Sequence, residues 1–405
     1  MASPEVSIRV LGIGGAGVNC AEMAAAAVPG IEVFAIDTDG AALESAKSCE
    51  KILIGASVTR RMSAGGDASL GSRAVQADID AVKSAVAGAD LVIILAGLGG
   101  GTGSAASIAA AEAARDAGAK VVAFCATPFA FEGASRTGLA GRAMAAMADV
   151  CDAAVELPND AMSEAHAGIP AREAFAAMNA CAVSSAASLA AMLMKTGLIN
   201  ADFAALKNML SSPKKRRAAF AFGRGEGPDP VTPALAAFSK FPGRKSAFCA
   251  KKADRLVACV RFGEDLPMEE LKRALISAAA EFCDHENVIF AACPEASMNG
   301  RVEISAIGVE FLEEPDAPRQ AAGTGILELP AKEAEREQAR PQPARARARI
   351  ARAAAANESQ SEFEFVETDL KRGFFEGTPP NPYGKEDLDV PTFMRRGIKI
   401  ILKKV

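Results

Sequence analysis

Tryptophan is absent from the 405 residues, and there is one tyrosine and only two histidines, His166 and His285. The cores must therefore be built from Ala, Val, Leu, Ile and Phe. Histidine chemistry has almost no candidates, and both histidines read as structural. Nine cysteines (Cys20, Cys49, Cys125, Cys151, Cys181, Cys249, Cys259, Cys283, Cys293) are scattered with no C-x-x-C spacing. That excludes a disulfide framework and a zinc site, leaving reduced, mostly buried thiols. No G-x-x-x-x-G-K-[ST] occurs, so a P-loop is excluded. The net charge of −5 argues against a general nucleic-acid binder. Met1-Ala-Ser-Pro-Glu5 lacks the basic and apolar regions of a signal peptide. Ala174 to Met194 carries no charge, but Ala and Ser dominate it and Asn179 lies inside. It reads as a helix buried in a protein rather than a span. The expectation is a cytosolic chain.

What the sequence has is glycine in particular places. Leu91-Val-Ile-Ile-Leu-Ala-Gly-Leu-Gly-Gly-Gly-Thr-Gly-Ser104 opens as a strand, breaks into glycines, and restarts as a helix over Ala105–Ala114. Such a junction aims unpaired N–H groups and a helix dipole at one spot, which attracts an anion, most often phosphate. Glycine there keeps any Cβ from holding phosphate oxygens away. A second junction lies upstream. Val6–Ile13 reads as a strand, and Gly14-Gly-Ala-Gly17 turns it into a helix from about Asn19 to Ala27. Gly12-x-Gly14-x-x-Gly17 matches the dinucleotide fingerprint, with Asp37 at the distance of a ribose-binding acid. Alone, that favours a nicotinamide- or flavin-dependent oxidoreductase. The second, richer loop, with no His, Lys or Tyr in an evident catalytic setting, favours a nucleoside triphosphate shared between two helix N-termini.

Further strands are expected at Ile31–Ile36, Lys51–Ile54, Val121–Cys125 and Asp152–Leu157, with a helix at Ser72–Ala87. Strands alternating with helices imply a Rossmann-like α/β parallel sheet covered on both faces, with ligands at the carboxyl ends. After the uncharged helix, Gly197–Phe203 forms a loop entering a helix at Ala204–Leu210. Apolar runs at Leu256–Phe262, Val288–Ala292 and Val302–Val309, with an amphipathic helix at Met268–Phe282, suggest a smaller α+β domain with a mixed sheet. The expected division is a nucleotide domain over 1–172, a central helix over 173–196 and the α+β domain over 197–312. A Pro-, Ala-, Glu- and Arg-rich disordered linker over 313–386 and a tail over 387–405 complete it. The tail returns to an apolar-plus-basic pattern, as short docking peptides do.

Gly97-Leu-Gly-Gly-Gly-Thr-Gly-Ser104 resembles the signature of the tubulin/FtsZ family, and the likeness runs in register from about Ile8 to Val309. Gly14-Gly-Ala-Gly-Val-Asn19 is similar to the first phosphate loop of the FtsZ branch. Thr127-Pro-Phe-Ala-Phe-Glu-Gly133 with Arg136 is similar to its sugar-contacting segment, and Pro158-Asn-Asp160 to another site loop. Leu388-Asp-Val-Pro-Thr-Phe-Met-Arg-Arg396 resembles that branch's C-terminal docking peptide. The resemblance implies GTP or GDP, with Mg²⁺, held by Gly14, Gly15, Ala16, Gly17, Val18, Asn19, Asp37, Gly99, Gly100, Gly101, Thr102, Gly103, Ser104, Glu132, Arg136, Asn159, Phe175, Asn179 and Ala180. It implies no metal site made by the protein alone. It also implies head-to-tail self-assembly, with Asn200 and Asp202 of one copy completing the catalytic site of the next. Such a protein would lie in the cytoplasm at a mid-cell division ring. Leu388–Arg396 would take membrane-anchoring and regulatory division proteins. Lys399, Lys403 and Lys404, with the apolar residues among them, would add weak membrane or filament contacts without any span.

Five positions depart from the family pattern. Ala205 stands where a second carboxylate is usual, three residues after Asp202. Ala180 replaces an acid that reads guanine, Asp37 replaces Asn, and Ser104-Ala105 replaces Thr-Gly. The first predicts slow turnover. Two alternatives are a degenerate, nucleotide-binding interaction protein and a Rossmann oxidoreductase. Asp202 also fits a plain helix cap.

Overall fold

The computed structural model describes residues 6–165, 170–194, 197–199, 203–211, 216–283 and 287–312, together with 382–383 and 386–387. The first part runs β1 (Ile8–Ile13), α1 (Gly14–Ala27), β2 (Glu32–Asp37), α2 (Gly40–Ser45), β3 (Glu50–Leu53), α3 (Ala56–Thr59), α4 (Ala68–Ala77), α5 (Ile79–Val86) and β4 (Leu91–Gly97). It continues through α6 (Gly101–Asp116), β5 (Lys120–Thr127), α7 (Ala134–Val150), β6 (Ala153–Pro158) and α8 (Asn159–Ala165). The six strands are all parallel, in the order β3-β2-β1-β4-β5-β6. Central strands buried on both faces read as unbroken apolar runs, which is why Leu91–Ala96 is so uniformly hydrophobic. Alternation still sorts the side chains. Leu91, Ile93 and Leu95 join one core with α1, while Val92 and Ile94 join another with α5, α6 and α7.

The long helix α9 (Ala171–Met194) follows. It is long and apolar enough to cross a membrane by composition. Here it lies in the core instead, with Ala182, Val183, Ala186, Leu189 and Ala190 packed among residues of both sheets. Its small side chains let α1 approach closely. Buried Ser185 and Ser188 donate to the Cys181 and Ser185 carbonyls of their own helix, at 2.8 and 2.9 Å.

Next come α10 (Phe203–Leu210), β7 (Arg216–Glu226), α11 (Val231–Ser239), β8 (Arg255–Phe262), α12 (Met268–Ala280), β9 (Val288–Pro294) and β10 (Arg301–Phe311). The second sheet has the order β7-β10-β8-β9, antiparallel except for β8–β9. Phe124 of β5 meets Phe220 of β7 edge-to-face at 4.9 Å, so the core runs through both sheets. Buried Asp152 also ties them, accepting from the Val121 amide and pairing with Lys120 and Arg216.

Three local expectations were displaced. The helix read over Ser72–Ala87 is two helices, because the Asp78 carboxylate at the break takes the Gly55 N–H at 2.6 Å. Strand β7 and helix α11 escaped the reading because Ala and Gly dilute the strand signal. Gly223 and Gly225 serve the packing: a Cβ at either would lie 2.1 Å from the Ala234 carbonyl oxygen or 1.9 Å from that of Pro230. Within the stretch read as linker, β11 (Pro382–Tyr383) and β12 (Glu386–Asp387) pair antiparallel. The rest of the linker and the docking tail lie outside the described residues.

Candidate functional site: two uncapped helix ends at the switch point

The strand order reverses between β1 and β4, and ligands of open α/β sheets bind in the crevice at such a point. Both glycine junctions open there. The glycines are not loops leading to helices, as the sequence suggested: Gly14 and Gly101 are themselves the first residues of α1 and α6. Neither helix has a side-chain cap. Their neighbours do: Asp39 accepts from the Ala41 and Ala42 amides of α2, and Asp67 from the Ser69 and Leu70 amides of α4. The first amides of a helix have no intrahelical acceptor, so two sets of them meet at one crevice with no side-chain cap among the described residues.

The glycines divide into two kinds. A Cβ on Gly14 would come within 2.9 Å of Gly103, one on Gly103 within 2.2 Å of the Gly97 oxygen, and one on Gly17 within 2.6 Å of the Leu95 oxygen. These glycines let the helices and strands interlock. Gly15 and Gly100 are different, since a Cβ at either meets nothing within 4 Å. They face the open crevice. Gly99 has φ +97, and the Ser104 hydroxyl accepts its N–H at 2.9 Å, fixing the turn from inside.

Asp37 ends β2 and is only 3 % exposed. It accepts the Thr38 N–H at 2.7 Å, and the Thr38 hydroxyl in turn meets that of Thr102 at 2.9 Å, bonding β2 to α6. Thr38 went unrecognised as a site residue because only the fold brings it to Thr102. Burial pushes the Asp37 carboxyl above the usual carboxylate range, and hydrogen bonds from Thr38, Asp39 and Thr102 pull the other way. A carboxyl raised above its unfolded value of 3.8 favours folding fully only below that pH, and the benefit is lost as pH rises through the folded value. Asp37→Asn is therefore expected to raise the melting temperature at pH 7, with its advantage shrinking as the pH falls toward 4. Melting curves between pH 4 and 7.5 check this; a variant less stable at pH 7 would contradict it.

The other predicted residues lie on α1, after β5 and β6, and on the first turns of α9. Val18 is 1 % exposed and belongs to the core, while Ala16 and Asn19 are exposed. Glu132 and Arg136 pair with each other at 2.7 Å, and Glu132 also accepts the Phe129 amide. The Arg136 carbonyl oxygen would be 3.1 Å from a Cβ on Gly99, so this pair adjoins the second junction. Asn159 is buried at the start of α8. Phe175 packs edge-to-face on Phe129, and Phe131 stacks on Phe129. The Asn179 side-chain oxygen accepts from Cys20 Sγ on α1, and Ala180 beside it is half-buried with no polar group. Burial pushes the Cys20 thiol up to about 12, in keeping with inert thiols.

Asn200 and Asp202 lie outside the described residues. What precedes them is fixed: Ile199 bridges Ala292 on the edge of β9, with Leu198 N donating to the Ala292 carbonyl at 2.8 Å. Gly197 allows the approach, since a Cβ there would stand 2.3 Å from that carbonyl oxygen.

Residues 7–167 match the Tubulin/FtsZ family, GTPase domain. The chain is 30% identical over 313 residues to the cell division protein FtsZ of Wigglesworthia glossinidia brevipalpis, covering 76% of this chain and 81% of that one. Among solved structures it is similar to an empty FtsZ dimer from M. jannaschii, with TM-score 0.68 and 26% identity over 78% of this chain and 96% of that one. It is also similar to CetZ2 from Haloferax volcanii in a GTPγS-bound protofilament, with TM-score 0.61 and 25% identity over 75% and 94%. A match over three quarters of the chain reaches past the glycine junctions into the second sheet, and the chain is accordingly a divergent, FtsZ-like member of the tubulin/FtsZ family of GTPases.

Proposed function

We propose that this chain binds GTP across the amides of α1 and α6, assembles head to tail, and hydrolyses the nucleotide with help from the 197–205 segment of the adjoining copy. The reading is carried by two bare helix N-termini in contact at the switch point, beside neighbours that have Asp caps. Gly15 and Gly100 would take the phosphates, and Glu132 and Arg136 would approach the ribose. Phe175 would stack on the base, with Asn179 near it. Phosphoryl transfer needs mainly positioning and charge stabilisation, and Asp202 with Asn200 would orient the attacking water. Among the described residues no cluster of three or more His, Cys, Asp or Glu could hold a metal. Mg²⁺ would accordingly be held chiefly by the triphosphate, whose charge it would neutralise.

Relatives solved as a dimer and as a GTPγS-bound protofilament support self-assembly. The interface would be heterologous and would not close, giving open filaments at the division site. Segment 388–396 would recruit membrane-anchoring partners, and the linker over 313–386 would tether it. Domain roles follow the boundaries at 172, 196 and 312. A dinucleotide enzyme is disfavoured, because the Asp37 carboxylate already serves Thr38 at the seam with Thr102.

Light scattering and phosphate release, measured together on the purified chain, test the proposal. Scattering should rise with GTP but not GDP, followed by slow phosphate release. Failure to retain guanine nucleotide, or a preference for NADH, would overturn it. Scattering without any phosphate release would favour the degenerate paralogue that Ala205 suggests.

A further inference from the structure

We infer that a row of four charged side chains crossing the second sheet holds the 197–199 stretch in place, which makes Arg261 a positioning residue for the hydrolytic step. This rests on the reading above, in which that stretch leads into Asp202 and serves the adjoining copy. Arg224 of β7 pairs with Glu303 of β10 at 2.9 Å, and Glu303 with Arg261 of β8 at 2.6 Å. Arg261 pairs in turn with Glu295, just past the end of β9, at 2.8 Å. The charges alternate in sign and follow the strand order β7-β10-β8-β9 without skipping a strand. Register explains how. Glu303 lies opposite both Arg224 and Arg261, and Arg261 lies opposite Cys293, so these positions share one face of the sheet. The Ser297 hydroxyl closes the row, donating to Glu295 at 3.0 Å.

Stability alone does not account for this row. The Glu303 and Arg261 side chains are 9 and 15 % exposed, and taking such charges out of water costs about as much as their attraction returns. Apolar side chains of similar size would hold the strands together at least as well. What the ion pairs add is direction. A guanidinium fork meets carboxylates in fixed geometry, so Glu303 and Glu295 cannot slide past one another while Arg261 joins them.

Direction matters because of what β9 carries. It is an edge strand, paired with β8 on one side. On its open side the Ala292 amide donates to the Ile199 carbonyl at 2.9 Å, and the Ala292 carbonyl accepts from Leu198 N at 2.8 Å. Ala292 is next to Cys293, which is level with Arg261. Beyond it the Glu295 amide donates to the Phe262 carbonyl at 2.8 Å, and the Arg261 guanidinium ties the same residue by its side chain. The length of β9 that receives 197–199 is therefore the length the row pins to the rest of the sheet. Arg261 acts through β9, not on the nucleotide.

Hydrogen–deuterium exchange and GTP turnover on the full chain test this. A triple variant, Arg261→Met with Glu303→Leu and Glu295→Gln, removes the row without stranding a buried charge. Its melting temperature should stay within about 3 °C of the parent's. Amides of 197–199 and 288–295 should exchange about 10-fold faster in the dilute monomer, with GTP affinity within about twofold. Turnover per assembled subunit should fall about 10- to 100-fold, the effect of a small misplacement of a group that orients the attacking water. A row that served stability alone would lower the melting temperature and leave turnover unchanged. Glu295→Gln by itself cuts the last link at a partly exposed residue, so it keeps the test open if the triple variant does not fold; the same amides should exchange faster. Unchanged exchange at 197–199, or faster exchange with turnover equal to the parent's, would overturn the inference and leave the filament reading intact. A parent that retains no GTP would sink both.

Discussion

An Ala205→Asp variant is expected to release phosphate from GTP roughly 100- to 1000-fold faster than the parent chain. That factor corresponds to about 2–4 kcal/mol of barrier, the usual contribution of one well-placed polar group. Positions 202 and 205 are three apart at a helix start, and side chains at that spacing share a face. On the proposed mechanism, a water that two carboxylates would hold would have one partner here. The first turn of α10 contains Ala205, half-buried. A carboxylate there also suits the positive end of the helix, so the substitution should not cost the fold. The gain should be in kcat, with the GTP concentration at half-maximal rate little changed. Because the segment would act on the adjoining copy's nucleotide, the rate should follow the fraction of variant in mixed filaments. Equal rates for variant and parent, measured above the critical concentration, would show that Ala205 does not limit turnover.

Gly103→Ala and Gly100→Ala should fail in opposite ways. At Gly103 the new methyl carbon would sit 2.2 Å from the Gly97 carbonyl oxygen, in the packed seam between β4 and α6. Overpacking of this kind costs about 1–3 kcal/mol or more, because backbone has to move. The variant should melt lower by roughly 5–10 °C, at about 2–4 °C per kcal/mol, or fail to accumulate as soluble protein. At Gly100 the methyl meets no protein atom within 4 Å, and φ −92, ψ 163 suits any residue. Its melting temperature should stay within about 1 °C of the parent's. GTP binding should nonetheless weaken about 10- to 100-fold, because the methyl fills space meant for phosphate oxygens and blocks charge-assisted hydrogen bonds. Melting curves and nucleotide titrations on both variants separate the two outcomes. Unimpaired GTP binding by Gly100→Ala would mean the ligand lies elsewhere.

The contrast marks how far the sequence could be read. Strand, glycines, helix is a one-dimensional pattern, so both junctions, the parallel sheet and the crevice were legible from periodicity and spacing. Which glycine serves packing and which faces open space was not, because that depends on close approaches between segments far apart in the chain. Asp37 shows the same boundary. Its distance from Gly12 suggested a ribose acid, and only the fold shows that it also accepts the Thr38 N–H beside the contact between Thr38 and Thr102. Strand β7 was missed because Ala218, Ala219, Ala221 and Gly223 lack strand propensity, and eleven pairings with β10 hold them extended anyway. The aromatic rim of Phe129, Phe131 and Phe175 joins residues more than forty positions apart, with no local signal to connect them.

The seam where Gly14 meets Gly103 has an evolutionary consequence. Two turns whose backbones touch without any intervening side chain cannot be altered one at a time, because enlarging either displaces its opposite number. Drift in this lineage should therefore pass beside the touching pair, at places such as 104, 105, 180 and 205, while Gly14 and Gly103 are inherited together.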